Sequence, residues 1–168
     1  FLMLSLNAQT NYKTFMEDID SKSSKYSEIA QTIWNYAEMG YQEKKSSALL
    51  QKTLADEGFM IKKGIAEIPT AFSASFGTDG PVIAILGEYD ALPGLSQKNV
   101  PYKISNNTRA GHGCGHHLFG TASAAAAIAI KNYLQKTGKA GTVKFFGCPA
   151  EEGGSGKVYM TRAGLFDD

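Results

Sequence analysis

Between Tyr12 and Met39 the apolar positions Phe15, Ile19, Ile29, Ile33, Trp34 and Ala37 recur at intervals compatible with helical turns, with Lys, Glu and Ser between them. The spacing predicts a helix over 12–39 that stops at Gly40. A second amphipathic helix is predicted over 42–56, with Ala48, Leu49, Leu50 and Leu54 as its apolar face and Gly58 ending it. The period then changes. Phe59 to Ile61 is a short apolar run, Ala71 to Phe76 alternates, and Pro81 to Leu86 is continuously apolar, as in a strand buried on both faces. Thr78-Asp79-Gly80 between the last two predicts a hairpin. A polar loop over 93–115 leads to a helix from about His117 to Gln135, the strand Thr142 to Gly147, a Gly-rich turn and a last helix around Lys157 to Ala163. This β-loop-α-β succession predicts an α/β sheet enzyme.

Composition narrows the classes. The 168 residues are 43% hydrophobic and 20% charged, enough for a domain with a buried core and inconsistent with a disordered or collagen-like chain. The 17 basic and 16 acidic residues nearly cancel, and no stretch gathers Lys and Arg densely enough to track a phosphate backbone, so nucleic acid is not an expected partner. The longest apolar run, Ala122 to Ile130, falls well short of the ~20 residues a membrane span needs and reads as a buried helix. The chain opens on Phe1 and stops at Asp168 soon after Gly164, which suggests a piece of a longer protein. Phe1 to Ala8 are apolar with small and polar interruptions, and residues 1–11 read as a signal-peptide remnant, which would place the protein outside the cytoplasm, in a periplasm for example. The other reading is a frayed segment on a cytoplasmic domain. Cys114 and Cys148 could pair in an exported chain, but two cysteines do not make a disulfide framework.

The three histidines of the chain fall within six residues, in Gly111-His112-Gly113-Cys114-Gly115-His116-His117. In an extended loop residues two apart point to the same side, so Cys114 and His116 can converge on one ion while Gly115 keeps the backbone close. Thiolate and imidazole are strong ligands for zinc and related metals, and the positive end of the following helix favours an ionised Cys114. The alternative is a Gly-rich approach to a helix, with histidines that merely hydrogen-bond and a small apolar cysteine. Cys148-Pro149-Ala150-Glu151-Glu152-Gly153-Gly154 stands at the carboxyl end of a predicted strand, where open α/β sheets collect their sites. Adjacent residues leaving a strand point in opposite directions, so one carboxylate can bind metal while the other takes a proton from the attacking water. Gly87-Glu88-Tyr89-Asp90-Ala91-Leu92-Pro93 leaves another strand end, where Asp90 can orient a ligating imidazole or simply form a turn before Pro93.

These three motifs, in this order, resemble the zinc-dependent amidohydrolases of the aminoacylase and carboxypeptidase type. The likeness runs from about Asp20 to the end and is greatest to the aminobenzoyl-glutamate hydrolase branch. The resemblance implies part of a three-layer α/β sandwich of the zinc-exopeptidase type, with residues 12–168 forming the N-terminal part of its catalytic domain. It implies two divalent ions, zinc or else manganese or cobalt, with Cys114, His116 and Glu152 as ligands and Glu151 as general base. Asp90 falls at the family's metal-supporting aspartate and Glu88 where other branches have a ligating His. The roles of Glu88, His112 and His117 stay open. The implied reaction is hydrolysis of the amide bond of an N-acyl amino acid or aminobenzoyl-glutamate-like substrate. Further ligands and a lid that makes a homodimer or hetero-oligomer would lie beyond residue 168, so this stretch by itself is expected to be inactive. The competing reading is a non-catalytic binding or assembly module.

Overall fold

The computed structural model describes residue 13 and residues 15–167; the signal-remnant expectation falls outside them. A helical segment over 15–21 precedes α1 (Ser23–Tyr36), and α2 spans Lys44–Asp56. The single helix expected over 12–39 is interrupted by a turn at Lys22 and ends early. Its stop is Ala37, which adopts the left-handed conformation (φ 44°, ψ 44°) and donates its N–H to Ile33 O. Gly40 serves a different purpose: a Cβ there would lie 3.0 Å from Ala150, so its bareness admits a second backbone.

The face that α2 buries also differs from expectation. Leu50 and Leu54 are buried, but so are Ser46, Ser47, Gln51 and Thr53, while Ala48 is exposed. Burial of these polar groups is tolerated because they are bonded: Gln51 Nε2 donates to Ser47 Oγ and Ser47 Oγ to Thr70 O, each at 2.8 Å.

After α2 come β1 (Met60–Lys63), a short 3₁₀ turn (Ile65–Glu67), β2 (Phe72–Phe76) and β3 (Val82–Gly87). A two-residue pair follows, β4 (Leu92–Pro93) with β5 (Ala110–Gly111), then α3 (His116–Thr137) and β6 (Thr142–Gly147). The sheet order is β1-β2-β6-β3, antiparallel at the first two junctions and parallel between β6 and β3. The expected β2-β3 hairpin does not form, because β6 returns through α3 and inserts between the two strands. Residues 77–81 therefore cross the start of β6 instead of turning tightly. A Cβ at Gly77 (φ +90°) would meet Gly141 O at 2.2 Å, so the crossing admits only glycine there. Nor is β3 buried on both faces: Val82 and Ile83 are half-exposed and burial rises only toward Gly87, because β3 has a single paired neighbour among the described residues.

Side chains of β6 alternate between two cores. Val143 and Phe145 join Tyr26, Ile33, Leu50, Leu54, Phe72 and Ile128 under the three helices. Phe146 and Cys148 join Ile65, Ile68, Ala71 and Met160 on the other face, covered by the 3₁₀ turn and α5 (Gly156–Arg162), which follows the single helical turn α4 (Glu151–Gly154). The chain is thus a mixed α/β layer with helical elements on both sides. No helix among the described residues is long and apolar enough to cross a membrane.

Candidate metal centre

The parallel register pairs Gly87 with Gly147, so the two acidic motifs leave the sheet side by side, and Cys148 N–H bonds Gly87 O at 2.8 Å. The first turn of α3 closes the third side. Its approach to the strand end is permitted by Gly120, where a Cβ would lie 2.2 Å from Glu88 O. Three segments far apart in sequence thereby deliver Glu88, Asp90, His116, Glu151 and Glu152 to one place.

His116 is at the centre and is 6% exposed. Its Nδ1 lies 2.8 Å from Asp90 Oδ1 and its Nε2 lies 2.9 Å from Glu88 Oε2. Glu151 Oε2 and Glu152 Oε1 stand 3.7 and 3.9 Å from the same Nε2. With its proton on Nδ1, donated to Asp90, the ring turns the Nε2 lone pair toward three carboxylates. One donor atom each from Glu88, His116 and Glu151 falls within 4.8 Å of the others, a spacing that small side-chain adjustments close around an ion held at ~2.0–2.2 Å. Imidazole and carboxylate are a suitable donor set for a divalent cation.

Glu151 and Glu152 do not diverge as residues of an extended strand would. Ala150 takes the left-handed conformation (φ 57°, ψ 42°) and begins the irregular turn α4, so that both carboxylates approach His116. The turn is held from beneath: Glu152 N–H donates to Asp90 Oδ2 and Ala150 N–H to Glu43 Oε1, both at 2.8 Å. Tyr41 Oη adds a hydrogen bond to Gly154 O.

Cys114 is exposed and stands outside the Glu88-His116-Glu151 trio. The nearby Glu152 carboxylate, with desolvation and the charges of Glu151 and Asp90, pushes its thiol up. The positive helix end expected to ionise it is outweighed by these nearer carboxylates. Cys148 is buried, separate and also a free thiol, so no bridge joins the two cysteines; burial pushes the Cys148 thiol up to about 12.

His112 and His117 are buried away from the trio, their rings 5.0 Å apart, with Trp34 edge-on to His117 at 4.9 Å. His112 Nε2 faces Ile33 O at 3.2 Å, and neither Nδ1 has a hydrogen-bond partner among the described residues. Burial pulls the His112 pKa down, against the opposing effect of the Ile33 carbonyl. For His117, burial reinforced by the neighbouring imidazoles lowers it to about 4. Both rings are therefore neutral at neutral pH.

Three charged residues at or beneath the site escaped sequence reasoning. Lys157 Nζ is paired with Glu88 Oε1, neutralising part of the carboxylate cluster; in sequence it stood only as the start of the last predicted helix. Glu38 accepts the N–H groups of Lys45 and Ser46 and so caps α2. Glu43, at the N-cap position itself, makes no capping bond and is wholly buried. Burial raises its carboxyl, opposed by the N–H it accepts from Ala150.

Residues 84–168 match the model of peptidase family M20/M25/M40. Over 163 residues the chain is 48% identical to a subunit of the p-aminobenzoyl-glutamate hydrolase of Escherichia coli, a match spanning 95% of this chain and 34% of that protein. A dinuclear metal-binding M20-family peptidase of Bacillus subtilis superposes with a TM-score of 0.75 at 26% identity, covering 88% of this chain and 41% of that one. An aminohydrolase structure from methicillin-resistant Staphylococcus aureus shares the fold, with a TM-score of 0.78 at 22% identity over 92% of this chain and 39% of that one. The chain thus spans about a third of the length of the curated relatives it matches. The match over half its residues, carried by the segments that converge on His116, makes this chain a member of peptidase family M20/M25/M40.

Proposed function

We propose that residues 12–168 form the N-terminal part of the catalytic domain of a metal-dependent amidohydrolase. Its substrate would be an N-acyl amino acid or an aminobenzoyl-glutamate-like amide. The observation that carries this reading is the imidazole of His116, fixed at Nδ1 by Asp90 and faced at Nε2 by Glu88, Glu151 and Glu152. His116 and Glu152 would hold divalent cations together with Cys114, whose thiol lies near Glu152, and with Glu88 beside the His116 Nε2 as a further donor. The relative described as dinuclear supports two ions, with zinc the ion that thiolate and imidazole suit best.

A bound divalent cation supplies Lewis acidity and a more acidic water. The chain's own groups do the rest. Asp90 fixes the tautomer and orientation of His116. Glu151, the more exposed of the glutamate pair, takes the proton of the attacking water and returns it to the leaving amine. Glu152, whose backbone is anchored by Asp90, stays in place as a ligand. That the Escherichia coli relative is one subunit of its hydrolase supports an assembly with another chain.

The test uses the longest translated form of the protein, assayed on p-aminobenzoyl-glutamate and on a panel of N-acyl amino acids. Glu151→Ala should keep its metal and lose hydrolysis by about 10²-fold or more. Unchanged turnover removes Glu151 as the base, and no turnover of any amide by the wild type contradicts the function.

A further inference from the structure

The turn that presents Glu151 and Glu152 begins at a residue poorly suited to its conformation. Ala150 has φ 57° and ψ 42°, a region costly for a residue with a Cβ unless the surroundings fix it. Its N–H is directed into the protein, where it donates to Glu43 Oε1 at 2.8 Å. Glu43 comes from a different part of the chain, 107 residues away, and is 0% exposed. A carboxylate at a helix N-cap would ordinarily serve its own helix. Here Glu38 does that, accepting from Lys45 N–H and Ser46 N–H, which releases Glu43 to point away from α2.

The placement is otherwise unfavourable. Glu43 Oε2 has no hydrogen-bond partner among the described residues, and no cation among them pairs with it. A buried carboxylate retained with one oxygen unsatisfied calls for a reason. The backbone it holds supplies one, since the residue after Ala150 is Glu151. On the other side of the turn Asp90 Oδ2 holds Glu152 N–H. The pair of glutamates is thus suspended between two carboxylates from two different segments, and of these two it is Asp90 that also touches His116.

We propose that Glu43 is a positioning residue for the metal centre: through the N–H of Ala150 it fixes the left-handed turn that aims Glu151 and Glu152 at His116. The proposal rests on reading the His116 group as a metal centre. It makes a specific demand on substitutions. Glu43→Gln keeps an acceptor oxygen at nearly the same place, whereas Glu43→Leu fills the volume without one.

The experiment compares the wild type, Glu43→Gln and Glu43→Leu by amide hydrogen exchange in the metal-free state and by titration with Zn²⁺ alone against a chromophoric chelator. The Gln variant should bind Zn²⁺ within about threefold of wild type. In the Leu variant, exchange at Ala150 should quicken at least tenfold and Zn²⁺ affinity fall at least tenfold, while Val143 and Phe145 in β6 keep their protection. Adding Ala150→Gly to Glu43→Leu should recover part of the affinity, because glycine needs no holding in that conformation. The proposal is overturned if the Leu variant keeps wild-type exchange at Ala150 and wild-type affinity, or if β6 loses protection to the same degree as Ala150. Should Glu43→Leu not fold, Glu43→Ala takes its place: affinity and Ala150 protection that fall together support the proposal, and both unchanged, or affinity that falls while Ala150 stays protected, overturns it. A wild-type chain that binds no Zn²⁺ contradicts the metal reading itself, a result separate from any difference in exchange among the Glu43 variants.

Discussion

Asp90 holds His116 at Nδ1 across 2.8 Å, and its second carboxylate oxygen holds the backbone of Glu152 at the same distance. One buried side chain thus sets the orientation of the central imidazole and the position of a neighbouring carboxylate together. Removing its charge should disturb both. Asp90→Asn is expected to leave the fold intact and lower Zn²⁺ affinity by about 10–100-fold, measured by chelator competition.

The buried His112-His117 pair makes stability depend on pH in a defined direction. Both pKa values lie below the ordinary imidazole value in the folded chain, that of His117 at about 4. Between roughly pH 6.5 and 4 the unfolded chain binds more protons than the folded one, so stability is complete above this window and is lost as pH falls through it. His117 alone accounts for up to about 3 kcal/mol of that loss. Urea unfolding at a series of pH values with chelator present, followed by fluorescence of the single tryptophan, Trp34, measures it. His117→Phe should flatten the dependence while keeping the aromatic contact.

The two thiols should behave differently. Cys114 is exposed and Cys148 is buried with its thiol pushed up to about 12. A thiol-specific chromogenic reagent should titrate one cysteine in the native protein and two after denaturation. Glu152→Gln should quicken the reaction of Cys114, because the negative charge that favours its protonated form is removed.

Gly120 is required by the close approach of α3 to the end of β3. In Gly120→Ala the new Cβ would lie 2.2 Å from Glu88 O, so helix and strand must part. A loss of about 1–3 kcal/mol in chemical denaturation is expected, with weaker Zn²⁺ binding because Glu88 and His116 separate.

Much of this arrangement is legible in the sequence where local pattern and burial coincide. The strand Thr142 to Gly147 and the helix beginning beside His116 have the expected bounds to within a residue or two, because largely apolar segments bounded by glycines leave few alternatives. The β2-β3 hairpin fails for a non-local reason: Thr78-Asp79-Gly80 is a good turn signal, and nothing near it reveals that β6 will enter between the strands. The three acidic and histidine motifs are legible as a group, since each stands at an element end. Their mutual aim is not, because it depends on Ala150 turning left-handed and on Glu43, which reads in sequence as an ordinary polar residue at the start of a helix. Polar groups that hold backbone from below leave no periodic trace.

Direct metal analysis tests the central claim that the groups around His116 form a divalent-cation site. The chain, purified without chelator, is dialysed to equilibrium against Zn²⁺ and its bound zinc counted beside His116→Ala, Cys114→Ala and Glu152→Ala. At least one zinc per wild-type chain, abolished in His116→Ala and reduced in the other two, is the predicted result. A metal-free wild type, or zinc retained in full by His116→Ala, would contradict the account.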